Sequence, residues 1–142
     1  MKKLILVFVA VVLGFVLFHV GEGFFDAMAH DGSPAARERR LVEISDEMNR
    51  SLPRDAGEMT RIEKTSAGPG LQFTYYYKFI DHLAAEVDPA KLTAIVKAKS
   101  IDRYRNSQEI SNFRKWQVEL HYKYYGKDGV EITTIIVAPH DL

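Results

Sequence analysis

Histidine is the side chain best suited to acid–base or metal chemistry near neutral pH, and the chain contains five of them. His121 shares a face of a predicted strand with Glu119 and Lys123, because alternate residues of a strand point to the same side. A carboxylate can orient a neighbouring imidazole as a general base, so one hypothesis for this face is a weak hydrolase. A solvated face with cross-strand charge pairs, for example to Glu131, explains the same residues and is the preferred interpretation.

The other histidines have no useful neighbours in the sequence. His19 falls in an apolar run and His30 in a short linker, while His82 and His140 each adjoin a single aspartate. A zinc site needs three or four converging ligands, and no motif such as His-Glu-x-x-His is present. The serines lie in no Gly-x-Ser-x-Gly elbow, and the glycine-rich residues 68–70 lack the lysine of a phosphate loop. We therefore predict no catalytic residue, no metal site and no cofactor, and that the protein is not an enzyme.

Aromatic side chains provide the strongest signal for binding. Three consecutive tyrosines occupy residues 75–77 of one predicted strand, and a second predicted strand ends in Tyr124 and Tyr125. Most of these rings alternate onto the apolar face, where aromatic side chains pack well beneath helices. Alternation sends Tyr76 and Tyr125 to the opposite face. If the two strands adjoin, we expect Tyr76 and Tyr125, with His121 on the same face, to bind a protein partner or a glycan.

Two helices are predicted from their N-terminal signals. Ser33 and Asp88 each precede a proline, and a capping side chain followed by proline is typical of a helix start. Apolar residues then recur at helical spacing over residues 34–50 and 89–103. A third, short helix is predicted to end at Phe113.

Four strands are predicted from alternation between apolar and polar residues. They cover residues 59–66, 71–80, 116–125 and 130–138, and glycine-containing turns join the first pair and the second pair. The predicted fold class is α+β: about four antiparallel strands, arranged as two hairpins, packed against two or three helices that cover one face.

The N-terminal stretch is predicted to direct the protein to a membrane. An apolar run without formal charge begins at Leu4 and ends at Val20, directly after Lys2 and Lys3. As a helix this run is about 26 Å long, which is just short of a hydrocarbon core of about 30 Å. The lysines before it place the N-terminus in the cytoplasm and the rest of the chain outside. We expect a single-pass protein of the inner, cytoplasmic membrane.

The division of the chain follows from this segment. We assign residues 1–25 to a membrane anchor, 26–33 to a linker and 34–142 to an extracytoplasmic domain. Ala27 and Ala29 form a small-x-small pattern that also fits a cleaved signal sequence. The alternative is therefore a periplasmic or secreted protein released after Ala29.

Composition excludes several classes of function. The chain has 142 residues, with 19 basic and 19 acidic side chains, so no net charge attracts nucleic acid, and we expect no nucleic-acid partner. It contains no cysteine, which excludes disulfides, thiol catalysis and a lipid-modified cysteine. A single domain of about a hundred residues must therefore be stable through its core alone.

Three short motifs carry a resemblance. They are Asn49-Arg-Ser-Leu-Pro53 followed by Thr60-Arg61, the tyrosine-rich strand, and Tyr124-Tyr-Gly-Lys-Asp-Gly129. Over about residues 40–138 the chain resembles a loosely defined group of small bacterial envelope proteins. This resemblance implies a small α+β domain that is tethered or secreted beyond the inner membrane, and it transfers no catalytic residue.

The leading hypothesis is a non-enzymatic domain on an N-terminal anchor that binds another envelope protein. The first alternative is a secreted periplasmic inhibitor or immunity-type binding protein, and the second is the weak hydrolase.

Overall fold

The structure is a computed structural model, and it describes residues 33–142. The membrane anchor predicted from Leu4 to Val20 and the alternative cleavage pattern at Ala27 and Ala29 lie outside the described residues. Of the helices formed by residues 33–142, none combines the length and the hydropathy needed to cross a membrane.

The described chain contains three α-helices and two single-turn 3₁₀ helices. The α-helices are α1 (Pro34–Asn49), α2 (Pro89–Asn106) and α3 (Ser111–Lys115). The predicted caps are confirmed: the Ser33 hydroxyl accepts a hydrogen bond from the N–H of Ala36, and the Asp88 carboxylate accepts from Ala90 and Lys91. The predicted helices over 34–50 and 89–103 are therefore confirmed, with α2 three residues longer than expected.

Five strands form a single sheet in the order β1-β2-β3-β4-β5. They are β1 (Arg54–Asp55), β2 (Thr60–Ala67), β3 (Gln72–Phe79), β4 (Glu119–Tyr125) and β5 (Glu131–Val137). The two predicted hairpins, β2–β3 and β4–β5, are confirmed as antiparallel pairs. The prediction of about four strands, all antiparallel, is wrong in two respects: β1 adds a short edge strand, and β3 pairs with β4 in parallel.

The parallel pairing of β3 with β4 follows from the connection between them. Residues 80–118 carry two α-helices across one face of the sheet and return the chain to the end where β3 began. A strand that follows such a crossover runs parallel to its predecessor, whereas a tight turn would make it antiparallel. The register aligns Tyr75 with Tyr122 and Tyr77 with Tyr124. The two tyrosine-rich strands are therefore neighbours.

The core lies between the helices and one side of the sheet, which we call the inner face; the other side is the outer face. The buried apolar sheet residues alternate along the strands: Ile62, Phe73, Tyr77, Phe79, Leu120, Tyr122, Tyr124, Ile135 and Val137. The helices contribute Leu41, Ile44, Met48, Leu92, Val96, Tyr104 and Phe113. Hydrogen bonds between hydroxyls join α1 to β2 (Ser45–Thr65, 2.8 Å) and α2 to β5 (Thr93–Thr133, 3.0 Å). Both long helices thus cover the inner face, as predicted.

Trp116 does not begin a strand, contrary to the prediction. Its N–H donates to the carbonyl of Asn112 (2.9 Å), so it closes α3, and its side chain is buried in the core. Gln117 then adopts a left-handed backbone conformation with φ of 60°. This conformation interrupts any extended run, and β4 begins at Glu119. The apolar alternation begins at Trp116 and continues past Gln117 into β4. A prediction from this pattern alone therefore begins the strand too early.

Asn49 completes the sheet where β1 ends. Its side-chain amide donates to the carbonyl of Thr65 (3.0 Å), and its side-chain carbonyl accepts from the N–H of Thr65 (2.7 Å). β1 pairs only with residues 61 and 62, so it does not reach this point. The carboxamide therefore takes the place of a neighbouring strand and satisfies backbone groups that would otherwise lie at an open edge.

The stacked tyrosines of the core predict alkaline sensitivity. Burial, and then the neighbouring phenols, raise the pKa of Tyr77 and Tyr124 well above the usual value. Because the folded-state pKa is raised, the stabilisation is complete below the unfolded pKa of about 10 and is lost as pH rises beyond it. We expect the free energy of unfolding, measured by urea denaturation, to fall above about pH 10. Tyr77→Phe removes one ionisable group and should make the fall shallower; an unfolding free energy independent of pH in this range would contradict the expectation.

Candidate functional site

The parallel register brings the two predicted outer-face tyrosines together. On the outer face it places Tyr76 beside Lys123 and Lys78 beside Tyr125. The rings of Tyr76 and Tyr125 stack, with centroids 6.4 Å apart and planes inclined by 16°. The prediction of a tyrosine surface required the two hairpins to lie side by side, and in the structure they do.

Lysines surround these rings. The Lys64 ammonium lies 4.7 Å from the centroid of the Tyr76 ring, and the Lys123 ammonium lies 5.9 Å from it. Both distances suit cation–π attraction. We call Tyr76, Tyr125, Lys64, Lys78 and Lys123 the tyrosine–lysine patch. None of the ion pairs formed among residues 33–142 includes one of its three lysines, and with one carboxylate (Glu63) in the lining the surface there is net positive.

An irregularity in β2 puts Lys64 in this position. Pairing shifts between Ile62 and Lys64, so that Lys64 lies opposite Tyr76. Regular pairing would instead place Glu63 opposite Tyr76 and turn Lys64 towards the core. The phenol of Tyr76 is also held by a hydrogen bond to the Ser66 hydroxyl (3.1 Å). The bulge and this hydrogen bond fix the geometry of the patch.

A shallow cavity of about 250 Å³ opens within the patch. Its lining consists of Glu63, Lys64, Tyr76, Lys78, Tyr125 and Gly129. Pockets for small molecules usually measure about 300–1,000 Å³. A smaller depression, lined by two tyrosine rings, two lysines and one glutamate, is better suited to one side chain of a protein partner.

His121 lies on the outer face but towards the other end of β4. Its Nε2 lies 2.6 Å from a carboxylate oxygen of Glu119, and its side chain is 15% exposed. Its neighbours on the adjoining strands are Thr74 and Ile136. The cross-strand charge pair predicted with Glu131 does not form: Glu131 accepts a hydrogen bond from the Thr134 hydroxyl (2.6 Å), and Glu119 pairs along its own strand.

The Glu119–His121 pair resembles an oriented base, but a base needs a proton donor to act on. Within residues 33–142 the hydrogen bond of the ring goes to Glu119, and no nucleophilic side chain is bonded to it. The same part of the chain contains no group of three histidine, aspartate or glutamate side chains placed to hold a metal ion.

Sequence reasoning assigned neither the three lysines of the patch nor Ser66 to the site, and it named Lys123 only as a neighbour of His121. Lys78 shares the face of Tyr76 at a spacing of two residues, and this alternation was a usable signal. Alternation could not predict the positions of Lys64 and Ser66, because the directions of their side chains depend on the bulge in β2.

Comparison with solved structures finds a similar fold in two type II secretion pilotins and in one protein proposed to be secreted. A Pseudomonas aeruginosa protein proposed to be secreted has a TM-score of 0.62 at 12% identity, covering 80% of this chain and 98% of its own. The pilotin EpsS of the Vibrio vulnificus type 2 secretion system has a TM-score of 0.60 at 14% identity, covering 76% and 93%. The type II pilotin AspS of Vibrio cholerae has a TM-score of 0.54 at 14% identity, covering 78% and 100%. No protein-family model and no curated protein matches the chain.

Alanine substitution of the adjacent residues Tyr76 and Tyr77 compares the stability contributed by a ring on the outer face with that of a ring in the core. Tyr77 is 3% exposed, so Tyr77→Ala should lower the free energy of unfolding by about 3–5 kcal/mol. Tyr76 is half-buried on the outer face, and Tyr76→Ala should cost no more than about 1 kcal/mol. Urea denaturation of both variants measures the difference. A similar loss in the two variants would show that the Tyr76 ring belongs to the core.

Proposed function

We propose that this chain is a non-enzymatic extracytoplasmic domain that binds another protein of the bacterial envelope through the tyrosine–lysine patch. The observation that carries the proposal is the stacked pair of Tyr76 and Tyr125 on the face opposite the helices, flanked by lysines that form no ion pair with any residue of the described range 33–142.

The chemistry of the patch supports a protein ligand. Tyrosine is enriched among the residues that dominate binding energy, because it offers a large apolar surface together with a hydroxyl. The rings are already stacked and Tyr76 is already hydrogen bonded, so little side-chain entropy remains to be lost on binding. The lysines favour a partner segment that carries carboxylates. His121 lies on the same face, and we place it at the rim of the interface.

The similar structures support the choice of partner class. Two of them are pilotins of type II secretion systems. Fold-level analogy does not transfer a function by itself, but it makes a component of an envelope secretion system the first partner to test.

We further propose that residues 4–20 hold the domain at the inner membrane. The alternative, release after Ala29 as a periplasmic or secreted inhibitor or immunity-type protein, is supported by the similarity to a protein proposed to be secreted. Fractionation of cells separates the two. An anchored protein should stay full-length in the membrane fraction after washing with salt and carbonate. A soluble chain that begins at His30 would contradict the anchor and support release.

Binding through the patch predicts that partner capture depends on its tyrosines. In a crosslinking pull-down of the full chain from its own membranes, Tyr76→Ala and Tyr125→Ala should each reduce recovery of the partner by about tenfold or more, as at other hot-spot positions. Val42→Ala is the matched control, because Val42 is an exposed apolar residue of α1 (48% exposed) away from the patch. Undiminished capture by both tyrosine variants would refute the proposed site.

His121→Ala distinguishes a rim contact from catalysis. As a rim residue, its loss should weaken capture only slightly. Abolition of a hydrolytic activity in a substrate screen would support the hydrolase alternative instead.

A further inference from the structure

The two edges of the sheet differ in how they are protected. β1 consists of two charged residues, Arg54 and Asp55, directly after Pro53, and the Asn49 side chain satisfies the backbone of Thr65 beyond its end. Short length, charge, a nearby proline and a covering side chain are the usual ways in which proteins prevent an edge strand from pairing with another chain. The β1 edge is therefore protected against pairing with another chain.

The hydrogen-bond pattern shows which groups lie at the other edge. The N–H of Glu119 donates to the carbonyl of Leu71 (2.8 Å), so the odd-numbered residues of β4 bond to β3 and the even-numbered residues bond to β5. Their partners in β5 are residues 133, 135 and 137. The N–H and C=O groups of Thr134 and Ile136 therefore point away from the sheet. Among residues 33–142, no backbone hydrogen bond from outside the sheet reaches these two residues.

The composition of β5 leaves this edge unprotected. Residues 132–137 read Ile-Thr-Thr-Ile-Ile-Val, with no charged residue and no proline. Five of these six residues are β-branched isoleucines or threonines, and the sixth is the β-branched valine, so the strand is strongly suited to sheet pairing. Ile136 is 42% exposed on the outer face. Beyond the bulge and Glu131 at the start of β5, the edge over residues 133–137 has two residues with outward backbone groups, a β-branched surface, and neither the charge nor the proline found at β1.

We propose that β5 receives an extended, uncharged segment of a partner protein as a sixth strand of the sheet. Backbone groups in a line with strand spacing are complementary to another extended backbone, and pairing of this kind provides affinity through main-chain hydrogen bonds. The exposed Ile136 selects an apolar side chain at the neighbouring position of the incoming strand. This contact adjoins the tyrosine–lysine patch, since Thr134 lies opposite Lys123, but it uses the backbone of β5 and does not depend on the proposed function of that patch.

The position of α2 argues against a second copy of this chain as the occupant. α2 packs directly over β5, where Thr93 bonds to Thr133. Two copies joined edge to edge about a twofold axis perpendicular to the sheet, with antiparallel β5 strands, would place these strands about 4.8 Å apart and both α2 helices on the same face. Their α2 helices would then lie at a similar separation, whereas packed helices need about 8–10 Å. A single extended segment has no such helix and meets no clash.

Amide hydrogen exchange tests whether the edge of β5 binds an added strand. The full chain is used, kept in detergent micelles. The probe is a capped peptide with the sequence of residues 132–137 and an uncharged solubilising tag. Without the probe, the amides of Thr134 and Ile136 should exchange at least about 100-fold faster than those of Thr133 and Ile135, which donate to β4. Saturating probe should slow Thr134 and Ile136 by about tenfold or more.

Two matched variants identify the site. Ile136→Lys puts a charge on the edge and should weaken probe binding by about tenfold or more, because edge lysines oppose strand addition. Val130→Lys adds the same charge at an exposed residue outside the strand (54% exposed, against 42% for Ile136) and should leave binding unchanged. Thr134→Pro is a further edge variant, which removes one outward N–H and should also weaken probe binding. Thermal unfolding of each variant establishes that it is folded.

Three results would overturn the proposal. Slow exchange of Thr134 and Ile136 in the monomer without probe would show that the chain itself already covers the edge. Absence of protection by the probe would show that the edge does not accept a strand. A concentration-dependent dimer that Ile136→Lys abolishes would identify a second copy as the occupant. Tyr76→Ala should not alter probe protection, so failure of the tyrosine–lysine patch and failure of the edge are separable.

Discussion

The parallel pairing of β3 with β4 is the contact on which the rest of the structure depends. It joins two hairpins that are otherwise independent units and aligns the two tyrosine-rich strands in register. On the inner face, Tyr75 stacks on Tyr122 with ring centroids 5.3 Å apart, and Tyr77 stacks on Tyr124 at 5.0 Å. These stacks lie within the core that both long helices cover. A change of register by one residue would exchange the two faces of β3 relative to β4 and would separate every one of these pairs.

The same register that builds the core also builds the candidate site. Tyr76 lies between two core-facing tyrosines in β3, so the pleat that buries them turns its ring outwards beside β4. Within residues 33–142 no helix covers the outer face, because the crossover from β3 to β4 runs over the inner face. Core and surface are therefore two consequences of one strand pairing. The patch lies on a sheet whose other side is packed into the core, and such support lowers the entropic cost of binding.

Local chemistry explains which elements sequence analysis predicted well. Cap residues followed by proline mark helix starts through backbone hydrogen bonding within a single turn, and both Ser33 and Asp88 act as predicted. Alternation and glycine-containing turns mark hairpins in the same local way. The errors occurred where an element depends on contacts with residues outside its own segment. β1 forms only because it pairs with β2. The start of β4 depends on the left-handed conformation of Gln117 and on the burial of Trp116 in a core assembled from other elements.

By itself, the sequence determined the α+β class, the two hairpins, the helix starts, and the direction of Tyr76 and Tyr125 away from the core. These properties depend on neighbours within a few residues, so periodicity and capping suffice to determine them. Only the tertiary structure decided that the hairpins pair in parallel, that a bulge presents Lys64 to Tyr76, and that β5 forms an open edge. The physical reason is that strand pairing, register and exposure each depend on two segments of the chain at once. The relative position of those segments is set by the crossover between β3 and β4 and by the shared core.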